Sequence, residues 1–135
     1  MPMLFIESPQ GIGQDVKATL VREATAALDE AYHIPDVRIF FREYAVDDVA
    51  QDGRQHAEPF RPVCFLEVPP LRSIEAKRAL VQQLNSALAT AYRGLANTDE
   101  IMVFINEYPL EDVGSAGRLQ ADTPELANAI KVLNT

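Results

Sequence analysis

The chain repeats itself, and this repeat limits the architectures open to it more than any other property of its 135 residues. A shift of 60 positions lays Pro2 on Pro62, Phe5 on Phe65, Glu7 on Glu67 and Lys17 on Lys77. The match continues with Leu20-Val21 on Leu80-Val81, Ala27-Leu28 on Ala87-Leu88 and Ala31-Tyr32 on Ala91-Tyr92. Four extra residues around Leu95–Asp99 change the offset to 64, which pairs Phe40, Glu43, Tyr44, Val49, Gly53 and Arg54 with Phe104, Glu107, Tyr108, Val113, Gly117 and Arg118. One supersecondary unit has been used twice, over residues 2–54 and again over 62–118.

Hydrophobic spacing shows what the unit is. Met3–Glu7 and Val63–Val68 are short apolar runs rich in branched and aromatic residues, the pattern of a strand covered on both faces. Gln14–Tyr32 carries Val16, Leu20, Ala24, Ala27, Leu28 and Ala31 at helical spacing, and Ser73–Tyr92 carries Leu80, Leu84, Leu88 and Ala91. Ser73 suits an N-cap, with Glu75 in the first turn where the helix dipole favours an acid. Val37–Tyr44 and Ile101–Tyr108 read as second strands. A helix between two strands makes each crossover parallel and right-handed, so each half is a β-α-β unit. Residues 50–61 are polar, contain Glu58-Pro59, and form the linker. Thr123-Pro124-Glu125 predicts a cap, a first-turn proline and a dipole-matched acid, opening a short helix over 124–133 with Leu126, Ile130 and Leu133 on one face. That stripe fits either the chain's own core or a neighbouring subunit. Such a length supports one domain that buries roughly two thirds of its unfolded surface without staples.

Charge and cysteine usage narrow the function. A net charge of -8 with 12 scattered basic residues provides no footprint for phosphate backbones, so nucleic acid is not an expected partner. Any anionic substrate must be held by a few individually placed arginines. The single Cys64 sits in an apolar run and predicts packing in a reduced compartment. No leader and no apolar run near the roughly 18 residues of a membrane span is present, which points to a soluble, cytoplasmic protein. His33 and His56 show no metal-ligand spacing with Cys64 or the carboxylates, and Gly11-Ile-Gly13 lacks the third glycine of a dinucleotide fingerprint. No metal or cofactor is expected.

Pro2 is the residue with most chemical content. Loss of Met1 would turn its nitrogen into a free secondary amine. An ordinary α-amine titrates at about 7.7–8.0, and partial burial and neighbouring arginines lower that value by disfavouring the ammonium form. The result is a neutral base near pH 7, suited to moving a carbon-bound proton.

Pro2-Met-Leu-Phe-Ile, a helix, then Val37-Arg-Ile-Phe-Phe-Arg-Glu-Tyr resembles 4-oxalocrotonate tautomerase and its fused relatives. Pro62-Val-Cys-Phe-Leu-Glu-Val-Pro-Pro-Leu-Arg72-Ser-Ile-Glu-Ala-Lys77 extends the likeness, which covers residues 2–118. The resemblance implies an α+β, tautomerase/MIF-like fold: two fused β-α-β units in a four-stranded mixed sheet with two helices on one face, assembled as a homotrimer. It also implies a cofactor-independent enzyme acting on a small carboxylate. Pro2 takes the catalytic position. Arg72, ten residues beyond Pro62, and Arg38, on the second strand, take the carboxylate-binding positions. The repeat partners of these arginines are Ile12 and Met102, so one active site per chain is expected.

Departures from the family shape the reading. The two-arginine clamp of the decarboxylase and cis-dehalogenase branches is missing, because Arg72 follows Pro69-Pro70-Leu71 alone. Ser115 and Phe104 stand where the cis-dehalogenase branch has a glutamate and a tyrosine, which disfavours dehalogenation. Val49 replaces the aromatic that closes the 4-oxalocrotonate tautomerase pocket. Asp36 matches a decarboxylase-branch aspartate, which keeps hydration or decarboxylation of a three-carbon oxo or acetylenic acid open, with Pro2 as the acid. Tyr108, Tyr44, Glu43 and Glu107 occur in both halves, so they line the pocket or serve the scaffold. A third reading is a trimeric binding protein on the same scaffold, or a ferredoxin-like sensory domain with an antiparallel sheet.

Overall fold

A computed structural model describes residues 1–56 and 58–135. Of the expected linker 50–61, Ala57 lies outside the described residues. The main elements are strand β1 (Met3–Pro9), helix α1 (Gln14–Tyr32), strand β2 (Arg38–Tyr44), strand β3 (Val63–Val68), helix α2 (Ile74–Ala91) and strand β4 (Met102–Glu107). A small hairpin of β5 (Gly114–Ser115) and β6 (Arg118–Leu119) precedes the final helix α3 (Pro124–Leu133).

The strands form one sheet in the order β2-β1-β3-β4. Each β-α-β unit contributes a parallel pair, β1 with β2 and β3 with β4, while the central strands β1 and β3 run antiparallel. Two parallel pairs joined by one antiparallel contact exclude the all-antiparallel, ferredoxin-like alternative. The register places Phe5 opposite Phe65. A pseudo-two-fold axis therefore passes between the repeat-equivalent strands, as a duplicated unit requires.

Both helices cover one face. Leu4, Ile6, Cys64, Leu66 and Val68 point into a core closed by Leu20, Ala24, Leu28, Leu80, Leu84 and Leu88. Each fully buried leucine contributes about 2 kcal/mol relative to exposure, so this interface dominates the fold's stability. Cys64 is fully buried and unpaired, as its apolar setting predicts. Ser73 caps α2 by accepting a hydrogen bond from the Ala76 N–H at 3.1 Å. Two local expectations fail. Val16 is exposed, because the α1 stripe that meets α2 begins only at Leu20. Thr123 has extended backbone angles but makes no side-chain cap, leaving Pro124 to open α3. The α3 stripe packs on its own chain, with Ile130 buried and Leu126 and Leu133 against the core.

The strands are not covered on both faces within one chain. β1 and β3 alternate strictly between buried and half-buried residues. Their second face carries Phe5, Phe40, Phe65 and Phe104, which the register lines up as one row across all four strands. Phe5 stacks on Phe40 and Phe65 on Phe104, each at 5.3 Å between centroids. Phe40 and Phe104 remain 46% and 41% exposed, too open for aromatic rings unless something else covers them.

The duplication extends into segments with little apolar signal. Gln51 bridges Arg54 in the first half, and Ser115 pairs with Arg118 in the second. The intervening turns match residue for residue, with Asp52-Gly53 and Ala116-Gly117 all at positive φ. Such paired left-handed residues define the tight hairpin turn whose twist suits flanking strands.

Candidate active site

Pro2 is buried at the start of the central strand β1, where its carbonyl accepts the Arg38 N–H at 3.1 Å. This bond opens the parallel β1–β2 ladder, so β-sheet pairing itself fixes Arg38 beside Pro2. Met1 is present, which makes the Pro2 nitrogen an amide and gives the free amine to Met1. That amine marks the surroundings a Pro2 amine would enter, one residue further out. It titrates below the ordinary 8.0, chiefly through burial; Asp36 pulls the other way and Arg38 adds to the lowering.

Arg38 and Asp36 face each other. The arginine donates from Nε to Asp36 Oδ1 at 3.2 Å and from Nη2 to Oδ2 at 3.4 Å, and both residues are exposed. Asp36 sits at φ 71, an uncommon left-handed conformation that aspartate tolerates better than most residues. The pair is solvent-screened, so it orients the guanidinium more than it stabilises the fold. Among the described residues Nη1 has no hydrogen-bond partner.

Arg72 reaches this end of the sheet by another route. Since β3 runs antiparallel to β1, its last residue Val68 lies near the start of β1, and Pro69-Pro70-Leu71 leads directly to Arg72. The turn is clamped twice. Glu107 accepts the Leu71 N–H at 2.7 Å, while Asn134 accepts the Arg72 N–H at 2.7 Å and donates to the Pro70 carbonyl at 2.9 Å. The Arg72 side chain is exposed and, among the described residues, no carboxylate pairs with it.

Two other candidates converge here. Tyr108 donates its hydroxyl to the Met1 carbonyl at 3.2 Å, and the Ser115 hydroxyl lies 3.8 Å from the Met1 sulfur. Burial raises the Tyr108 pKa, opposed by a contact with Gln120 and reinforced by Glu67. Phe104 lies in the aromatic row with Phe5 and Phe65, three residues along the sheet from Pro2. Glu43 and Glu107 pair with the helix lysines Lys17 and Lys77 at 2.6 and 3.4 Å, a scaffold role repeated in both halves. Two participants escaped sequence reasoning, Gln120 and Asn134. Neither has a repeat partner or a motif, and only the chain's path buries Gln120 or returns Asn134 to the Arg72 turn.

A cleft of about 660 Å³ lies at the opposite end of the sheet, lined among others by Tyr44, Phe60, Arg61, Val63, Glu100 and Met102. It is the repeat image of the Pro2 site, with Arg61 at the place of Met1, Glu100 at that of Asp36 and Met102 at that of Arg38. Its size is no guide to the chemistry, since Pro62 is internal and carries no amine. Among the described residues no group of three or more His, Cys, Asp or Glu converges as a metal site, and no helix is long and apolar enough to cross a membrane.

Pro2, Arg38 and Arg72 thus lie at one end of a doubled β-α-β sheet. No protein-family model matches the sequence, and no curated protein does. Solved structures match closely. The F6 fused 4-OT, a wild-type asymmetric trimer, superposes with a TM-score of 0.80 at 26% identity, covering 90% of this chain and 98% of the other. A native fused 4-OT superposes with a TM-score of 0.77 at 27% identity, over 87% of this chain and 95% of the other. A malonate semialdehyde decarboxylase shares the fold with a TM-score of 0.69 at 20% identity, over 91% of this chain and 98% of its own. In fold and in its two-unit build the chain is similar to the fused 4-OT structures.

Proposed function

We propose that the protein is a cofactor-independent keto–enol tautomerase of a small carboxylate substrate. Pro2, freed by loss of Met1, acts as the general base, while Arg72 and the open side of Arg38 hold the carboxylate and carbonyl oxygens. The observation that supports this reading is the Met1 amine beside Pro2, held below its ordinary value because burial outweighs the opposing pull of Asp36. A base shifted in this direction carries more of its neutral form at neutral pH than an ordinary α-amine and can still take a proton activated by an adjacent carbonyl. The arginines supply charge-assisted, two-pronged hydrogen bonds that fit a carboxylate. Ser115 and Tyr108, both in contact with Met1, are the further side chains next to the proline, and Phe104 stands on the helix-free sheet face. Related fused 4-OT structures are trimers, and the exposed phenylalanine row supports a homotrimer here as well.

Asp36 favours a second reading. By raising the amine pKa it works toward a protonated Pro2, the acid required to hydrate or decarboxylate a three-carbon oxo or acetylenic acid. Intact mass of the untagged protein, paired with ketonisation of phenylenolpyruvate and 2-hydroxymuconate by wild type and Pro2→Ala, tests the proposal. Loss of Met1 with turnover that falls at least about 100-fold in the variant supports the base mechanism. Retained Met1, or turnover indifferent to Pro2, overturns it in favour of a binding role.

A further inference from the structure

Met1 occupies an informative position. Its carbonyl carbon is bonded to the Pro2 nitrogen, so its oxygen marks where an oxygen of a substrate drawn up to a Pro2 amine would lie. That oxygen is held by the Tyr108 hydroxyl at 3.2 Å. Behind Tyr108 stands Gln120, 1% exposed, whose amide contacts the phenol and lowers its pKa. Neither amide atom completes a hydrogen bond of good geometry among the described residues. A buried amide is normally satisfied, and the unpaired one here faces a hydroxyl turned away toward Met1.

We propose that Tyr108 is a further catalytic residue, donating its O–H to the enolic oxygen of the substrate, and that Gln120 is the positioning residue that holds it there. The inference rests on the tautomerase reading. In ketonisation Pro2 removes the hydroxyl proton of the enol and returns a proton to carbon. Between the two transfers the negative charge sits on oxygen, beside the Tyr108 hydroxyl, which keeps its own proton throughout. The Gln120 N–H is the donor that faces the phenol oxygen, which leaves the phenol hydrogen to point outward, toward the Met1 carbonyl here and toward the substrate once Met1 is gone. Burial keeps Tyr108 neutral, as a donor must be. The arginines grip the carboxylate, whereas Tyr108 acts on the atom whose charge changes, so its contribution falls on the chemical step. The first-half repeat partner, Tyr44, donates instead to Glu7 at 3.3 Å, which leaves the equivalent hydroxyl engaged at the end without an amine.

The test uses the Met1-free protein. Tyr108→Phe lowers kcat roughly 100-fold with KM changed only a few-fold, the split expected when one donor to a developing oxyanion is removed. Gln120→Leu lowers kcat about 10-fold, and adding it to Tyr108→Phe costs nothing more, because its effect passes through the phenol. An additive loss instead makes Gln120 a structural residue and removes that half of the proposal. Oxalate, a planar enolate mimic that needs no turnover, separates this inference from the tautomerase reading. Its binding weakens at least about 10-fold in Tyr108→Phe, even if activity proves independent of Pro2. Equal oxalate affinity in both proteins, or no saturable binding to either, overturns the role of Tyr108. Turnover indifferent to Pro2 alone overturns only the tautomerase reading.

Discussion

The amine at the head of β1 is governed by three opposing influences, and their signs predict how activity responds to pH. Burial disfavours the ammonium form, Arg38 adds to that, and Asp36 opposes both. On the proposed mechanism a base must be neutral to act, so kcat/KM for ketonisation is expected to rise with pH along a limb displaced below that of an ordinary α-amine. Asp36→Asn removes the only influence favouring the charged form and moves the rising limb to lower pH; Arg38→Met moves it higher and also raises KM. A pH–rate profile of the three proteins checks both directions. A limb that stays in place in both variants would mean that another group sets the profile.

At the level of elements, the reach of α3 matters more than its own stability. Asn134, which caps its C-terminus, ties the Arg72 and Pro70 backbone to the far end of the chain, so Arg72 is positioned by a helix end about sixty residues away. Asn134→Ala is expected to cost about 1 kcal/mol in a denaturant melt and, on the proposed mechanism, to raise KM several-fold with kcat nearly unchanged, because it would loosen carboxylate binding by Arg72 and leave Pro2 untouched. The two hairpins invite a comparison of the halves. Both turns require left-handed backbone, and the first places Asp52-Gly53 there, while the second places Ala116 at φ 52 before Gly117. Alanine is poorly suited to that region. Ala116→Asn should stabilise the protein by about 0.5–1 kcal/mol, seen as a raised Tm, and an unchanged or lowered Tm would count against the turn assignment.

At the scale of the whole molecule, the helix-free sheet face decides the assembly. A row of four phenylalanines crosses it, with charged and polar neighbours such as Arg42, Glu7, Glu67 and Asn106 on either side. Arg42 caps the Phe5 ring at 4.1 Å from its centroid and pairs with Glu7 at 3.3 Å, so the polar rim is already satisfied within the chain. Burying the aromatic row between copies would remove apolar surface from water at little polar cost. Phe40→Glu combined with Phe104→Glu is therefore expected to shift the sedimentation of the protein from trimer to monomer, with helix content retained. A trimer that survives both substitutions would move the interface elsewhere.

Much of the architecture was legible in the sequence because it is written locally or by repetition. The period of the apolar residues separates helix from strand, Ser73 and Pro124 mark helix starts, and the offsets of 60 and 64 state that the two halves share one plan. The same offsets carry the hairpins, although their residues are polar. Pro2 was visible as a candidate from its place after Met1, and Arg38 and Arg72 from the resemblance to the tautomerase family. The misses have a common cause. Alternation of Phe5 and Phe65 with leucines and cysteine looks like a strand buried on both sides, since composition cannot distinguish a core neighbour from another copy of the chain. Val16 continues the α1 period yet lies beyond the contact with α2. Gln120 and Asn134 are ordinary polar residues whose importance arises only where distant segments meet. Local spacing thus determined the elements and their order, because backbone geometry responds to neighbouring residues. Tertiary structure alone decided the burial of Gln120, the clamp on Arg72 and the opposition of Asp36 to Arg38, because desolvation and hydrogen bonding depend on what surrounds a group in space.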